Sequence, residues 1–270
     1  MSADIFDLTG RHVLVTGGAR GIGRMIVESL LLRGVTVYLS TRKEDAAAQA
    51  ARELGEFGDV HAFAVDIGTQ DGCRELIEKV GAHTDQLHGL INNAGATWGA
   101  AFDDFPDAAW DKVLGVNVKA PFNLAKAARP LLEAEARGSG GPARIINIGS
   151  IDGLLVPNYE NYSYSAAKAA IHHLTRHLAA TLAPTILVNA IAPGPFPTKM
   201  MEWVLDERGD EISGSNPLRR LGRAEDLDGL VTFLLSDASS YITGTVIPLD
   251  GGLTSTASAA LFAEEGGAHA

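Results

Sequence analysis

A single cysteine, Cys73, leaves no partner for an internal disulfide and suits a reducing compartment. No stretch reaches 18 consecutive apolar residues, which argues against a membrane-spanning helix. The opening Met1-Ser2-Ala3-Asp4 lacks the basic flank and apolar run of a secretory leader, so the expected location is cytoplasmic. No block of lysine or arginine offsets a net charge of −11, and neither nucleic acid nor an anionic membrane surface is an expected partner. His173 and His177 have an i,i+4 spacing that suits zinc, with His172 adjoining, but no cysteine or glutamate-rich partner stands nearby. No metal site is expected, and the histidines read as a surface or subunit-contact helix face. No internal repeat is found.

What is present is 270 residues, 46% of them hydrophobic, with 30 glycines, enough for one large α/β domain with a filled core. His12 to Thr16, Val35 to Leu39, Val60 to Val65, Gly89 to Ile91, Arg144 to Ile148, Leu187 to Ile191 and Thr245 to Leu249 read as short buried strands. Longer periodic stretches lie between them, among them Gly21 to Arg33, Ala108 to Glu135 and Ser165 to Leu182. Such alternation predicts a doubly wound, Rossmann-type parallel sheet with helices on both faces. Residues 8–252 form the expected core, with 253–270 a C-terminal extension; Arg137 to Pro142 reads as a flexible surface connection and Gly266 to Ala270 as a frayed end.

The first strand runs into Thr16-Gly17-Gly18-Ala19-Arg20-Gly21-Ile22-Gly23 and then a helix. Glycines there let the backbone turn tightly and approach a pyrophosphate, with the free N–H groups and positive end of the helix aimed at it. Steric reasons alone can also make such a turn glycine-rich. Asp66 follows the third strand and Asn92-Asn93-Ala94-Gly95 the fourth, at the sheet edge that faces ligands in such folds. The second strand ends Leu39-Ser40-Thr41-Arg42-Lys43, with no acid to bond ribose hydroxyls. Arg42, with Arg20 in the glycine turn, favours NADP(H) over NAD(H), although Arg42 and Lys43 would equally serve as solvated loop charges.

Ser150 precedes Tyr164-Ser165-Ala166-Ala167-Lys168 by one short segment. Tyr164 and Lys168 are four apart on a helical stretch and project from one face. An ordinary phenol titrates near 10, and a cation held beside it favours phenolate, so the pair is expected to bring Tyr164 toward neutrality as an acid/base. Pro121 lies four residues after Asn117 and has no N–H for its carbonyl, so a helix kink with an outward-facing Asn117 carbonyl is expected.

These features together closely resemble the short-chain dehydrogenase/reductase family, and within it the NADPH-dependent 3-oxoacyl thioester reductases. The resemblance runs from about Leu8 to Gly252 and includes Asn117 and the Pro193-Gly194 turn. It implies hydride transfer between a nicotinamide and a carbonyl/alcohol pair. In that scheme Tyr164 is the acid/base, Ser150 holds the carbonyl oxygen, Lys168 tunes the phenol and bonds the nicotinamide ribose, and Asn117 binds a proton-supplying water. Gly17, Arg20, Gly21, Ile22, Gly23 and Arg42 are implied cofactor contacts. So are Asp66 and Ile67 around the adenine, Asn93, Ala94 and Gly95 near the adenosine ribose, and Pro193 with Gly194.

Expected partners are a small carbonyl or alcohol substrate and further copies of the chain, as a homodimer or homotetramer built on alanine-rich faces (Ala120, Ala125, Ala127, Ala128; Ala166, Ala169, Ala170). The segments 151–162 and 195–216 are expected to enclose the substrate, with Trp98 and Trp203 as candidate lining. Glu133 and Glu135 replace the basic patch that an acidic carrier protein would need. A coenzyme A thioester, a free ketone or a sugar-derived ketone therefore stays open as substrate, as do a sugar or polyol dehydrogenase and a non-catalytic NADP-binding sensor as readings of the whole.

Overall fold

The computed structural model describes residues 4–139, 141–198, 214 and 216–256. Seven strands form one parallel sheet in the order β3-β2-β1-β4-β5-β6-β7. They are β1 (His12–Thr16), β2 (Thr36–Thr41), β3 (Val60–Ala64), β4 (Gly89–Asn92), β5 (Ala143–Ile148), β6 (Ile186–Pro193) and β7 (Val246–Leu249). Each of the seven expected strands is found, with ends shifted by at most two residues. The two-residue shifts are at the ends of β2 and β6; β2 runs on through Ser40 and Thr41 because both pair in register with Phe63 and Ala64 of β3.

The inner strands of such a sheet are covered on both faces, which is why these segments read as nearly continuous apolar runs, while the edge strands β3 and β7 are half-buried. Val13 and Val15 of β1 pack on one side with α1 (Gly21–Leu32), α2 (Glu44–Leu54) and the helix Ala224–Leu235. Leu14 points the other way, into a second cluster with α3 (Gln70–Gly81), α5 (Ala120–Ser139) and α6 (Tyr162–Leu182). A fully buried Val, Leu or Ile side chain stabilises by about 1.5–3 kcal/mol, so the two clusters hold the strand ends firmly where the site is built.

Two expectations change here. The stretch 108–135 is not one kinked helix: α4 (Asp107–Leu114) passes into a π turn, Gly115–Lys119, before α5. The Ala120 N–H reaches the Gly115 carbonyl five residues back, a widened turn that accommodates Pro121 and its missing N–H. Arg137, Gly138 and Ser139 are helical rather than a loose connection, and the Ser139 hydroxyl donates to the Glu135 carbonyl at 3.0 Å. Gly266 to Ala270 lies outside the described residues.

Candidate active site

β1 leads to β2 on one side and, through the crossover, β4 lies on the other, so the sheet reverses its winding between β1 and β4. A cleft opens at such a switch point, beyond the carboxyl ends of the strands. Here it is a cavity of about 700 Å³, to which residues at or just beyond the ends of β1 to β6 all contribute. The cofactor candidates Gly17, Arg20, Gly21, Ile22, Gly23, Arg42, Asp66, Ile67, Asn93, Ala94, Gly95 and Pro193 line it together with Ser150, Tyr164 and Lys168.

The glycine turn is shaped by close approach. Gly17 and Gly21 have φ of +67° and +55°, a left-handed backbone that glycine adopts without strain. A Cβ on Gly23 would collide with the Gly17 carbonyl and the Asn93 side chain. The first turn of α1 carries no acidic residue, so its free N–H groups and positive pole meet the cavity unneutralised. Thr16 locks the turn to its neighbour: its hydroxyl accepts from the N–H groups of Asn93 and Ala94, both at 3.1 Å, and donates to the Ile91 carbonyl at 3.4 Å. The Asn93 amide donates to the Thr16 and Gly17 carbonyls at 2.9 and 3.2 Å and so braces the turn. Thr16 was not singled out in the sequence for this role; a hydroxyl at the end of an otherwise apolar strand was the available signal.

Positive charge at the rim is unevenly committed. Arg24 is held by Glu28 and Glu53, whereas among the described residues Arg20 and Arg42 make no ion pair and both are exposed beside the cavity. Asp66 turns one carboxylate oxygen onto the Gly68 N–H at 3.0 Å. The Ile67 side chain belongs to the apolar core.

Elsewhere on the cavity wall, Ser150 lies two residues beyond β5 and caps a short turn, Ile151–Gly153, with its hydroxyl accepting from the Asp152 N–H at 3.2 Å. Lys168 is buried, donates to the Ile148 carbonyl at 2.8 Å, and sits 5.4 Å from the centre of the Tyr164 ring. Burial pulls the ammonium down to about 8, with Asp152 opposing, so Lys168 remains cationic at neutral pH. The expected lowering of the phenol is not found. Burial pushes Tyr164 up to about 12, helped by the Asp152 charge and opposed by the Ser150 hydroxyl, so desolvation outweighs the favourable neighbours.

A family model described as enoyl-(acyl carrier protein) reductase matches residues 17–254. The rhamnolipid-biosynthesis 3-oxoacyl-acyl-carrier-protein reductase of Pseudomonas aeruginosa is 41% identical over 92% of this chain and 97% of its own length. The chain belongs to the short-chain dehydrogenase/reductase family. A solved NADP active-site complex of RhlG from Pseudomonas aeruginosa superposes with a TM-score of 0.88 at 40% identity, covering 93% of this chain and 98% of that one. A protein from Beutenbergia cavernae, described as a candidate NAD(P)-dependent gluconate 5-dehydrogenase, gives 0.85 at 32% identity, over 93% and 100% of the two chains.

As a family member the protein is an oxidoreductase, and some candidate residues sit apart from the cavity wall. The Asn117 side chain is buried and doubly bonded to the Ala96 backbone, accepting from its N–H and donating to its carbonyl, each at 2.9 Å. Gly194 packs against Asp250, where a Cβ would come within 2.9 Å. Trp98 is 40% exposed with the Lys112 ammonium 5.4 Å from its ring centre; Trp203 and most of 195–216 lie outside the described residues. His173 and His177 are exposed, and among the described residues no group of three His, Cys, Asp or Glu is disposed to hold a metal. His172 is buried, its ring lying where a Cβ on Gly149 would have to be. No helix among the described residues is long and apolar enough to cross a membrane.

Proposed function

We propose that residues 8–252 act as one NADP(H)-dependent reductase unit that converts a ketone, most simply a 3-oxoacyl thioester, to a secondary alcohol. The reading rests on one observation: Ser150, Tyr164 and Lys168 line one cavity with the glycine turn, beside which Arg20 and Arg42 make no ion pair among the described residues. The residues fit the cofactor. The Gly17–Gly23 cradle and the unneutralised start of α1 suit a pyrophosphate, and the two rim arginines suit a further phosphate. NADPH held there supplies the hydride. Tyr164, protonated at neutral pH, gives its proton to the carbonyl oxygen as charge develops on it, and Ser150 donates a second hydrogen bond to the same oxygen. Lys168 stabilises the phenolate left behind, and the Asn117 carbonyl, which Pro121 cannot satisfy, accepts a water that resupplies the proton.

The relatives named for 3-oxoacyl-acyl-carrier-protein substrates support the thioester, and the gluconate dehydrogenase supports a polyol-type alternative. Glu135 does not bear on carrier docking, because it is buried against Arg11 and His88, while Glu133 is paired with Arg129 at 2.6 Å and Lys126 is exposed on α5. The test is NADPH consumption with acetoacetyl thioesters of carrier protein and of coenzyme A, simple diketones, and sugar-derived ketones. Turnover of a thioester well above the sugar ketones is expected; NADPH binding with no turnover of any of them would make the protein a sensor. A cytoplasmic location fits this chemistry.

Assembly follows the exposed faces of α5 and α6. Ala120, Ala125 and Ala128 are buried inside the chain's own core and contribute nothing to a contact between copies, but Phe122, Ala166 and Ala169 are exposed. Light scattering is expected to return two or four times the 28.4 kDa protomer mass, and a protomer mass at micromolar concentration would refute the assembly.

A further inference from the structure

Asp152 is the residue on which the substrate side of the site converges, although nothing in the reaction scheme requires an acid there. Its carboxylate accepts from the Tyr159 hydroxyl at 2.6 Å and from the Asn161 amide at 3.0 Å, and its N–H donates to Ser150. Asn161 in turn caps α6, its carbonyl accepting from the Tyr164 N–H at 2.8 Å and the Ser165 N–H at 3.1 Å. One side chain thus joins the Ser150 turn, the segment 154–161 and the start of the helix that carries Tyr164.

We propose that Asp152 is a positioning residue whose carboxylate pins residues 154–161 over Ser150 and fixes a negative charge beside Tyr164, favouring proton donation to a carbonyl over proton removal from an alcohol. This rests on the reductase reading above. Charged and titratable groups face the phenol from several elements: Asp152 from the short turn, Tyr159 from the segment above, and Lys168 from the next turn of α6. Asp111 and Lys112 of α4 line the same cavity. A neighbouring negative charge disfavours phenolate and favours ammonium, so Asp152 raises both the Tyr164 and the Lys168 pKa. Removing the charge moves both downward; for reduction the two effects act in the same direction, and for oxidation the alkaline rise follows the Tyr164 phenol.

Asp152→Asn keeps an acceptor for Tyr159 and removes the charge; Asp152→Ala removes both; Tyr159→Phe weakens the clamp and keeps the charge. In Asp152→Asn the alkaline fall of the reduction rate and the alkaline rise of the oxidation rate are expected to move to lower pH by about one unit, the size of a single neighbouring charge. Tyr159→Phe should leave both limbs in place. Amide hydrogen exchange over 154–161 is expected to quicken about tenfold or more in Asp152→Ala and less in Tyr159→Phe. Superimposable profiles for wild type and Asp152→Asn would overturn the charge role, and unchanged exchange in Asp152→Ala would overturn the clamp. If the wild type reduces no carbonyl, the functional reading falls, and the exchange measurement still decides whether Asp152 holds the segment.

Discussion

Tyr164→Phe is expected to lower kcat by about 10²- to 10⁴-fold while NADPH affinity stays within a few-fold of wild type. Phenylalanine keeps the ring that packs under Lys168 and loses the one group placed to give a proton to the carbonyl oxygen. The resting phenol is pushed up to about 12, so at neutral pH it is fully protonated and ready to donate. Losing its hydrogen bond to the developing alkoxide adds to the loss of proton transfer. Two other tyrosines lie within five residues and serve as controls. Tyr159 spends its hydroxyl on Asp152, and Tyr162 turns its own toward Glu160 at 3.3 Å among Phe102 and Phe105. Neither has a lysine one helical turn on. Single-turnover and steady-state rates on the best substrate, with fluorescence titration of NADPH as the binding control, decide the matter. A Tyr164→Phe enzyme within tenfold of wild type, beside an inactive Tyr162→Phe enzyme, would mean that another phenol carries the proton.

Arg42→Asp is expected to weaken NADPH binding by about one to two orders of magnitude and to leave NADH binding equal or stronger, reversing the preference. A hydrogen bond to a charged group contributes about 1.5–3 kcal/mol, and the exposure of Arg42 argues for the lower part of that range from attraction alone. The new carboxylate adds repulsion toward a phosphate and an acceptor for ribose hydroxyls, so the reversal exceeds what Arg42→Ala would produce. Arg20 faces the same cavity from the glycine turn and keeps part of the NADPH affinity in either variant. Titration of both cofactors against wild type and variant measures the effect. A wild type that binds NADH and NADPH equally would remove the basis of the argument.

The sheet was legible because its inner strands are buried on both faces and therefore stand out as short apolar runs between periodic helices; β1 was found to the residue. Ser150, Tyr164 and Lys168 were legible because helical spacing and proximity along the chain carry their geometry. The π turn was not. A one-residue change of hydrogen-bond register leaves no mark on apolar periodicity, and Pro121 signals only that something must yield. The Tyr164 pKa lies above what the sequence implies because a cation four residues away is visible in a sequence whereas desolvation is not. Asp152 escaped notice as a clamp because its partners lie seven and nine residues along a loop with no period. Glu135 was read as a surface charge, since nothing local reveals that Arg11, on the first strand's approach, closes over it.

Gly149 and His172 occupy a single shared volume behind Ser150, one giving up its side chain so that the other's ring can fill the space. The two positions are therefore reciprocal in size: a methyl group gained at 149 demands a ring lost at 172, although 22 residues lie between them along the chain. Gly149→Ala alone drives a wedge between β5 and α6 and displaces the serine next to it. Joined with His172→Ala, the same methyl loses its two worst clashes and keeps only a tight 3.2 Å approach to the Ile191 carbonyl, and divergence of this chain would be expected to move the two sites as a pair.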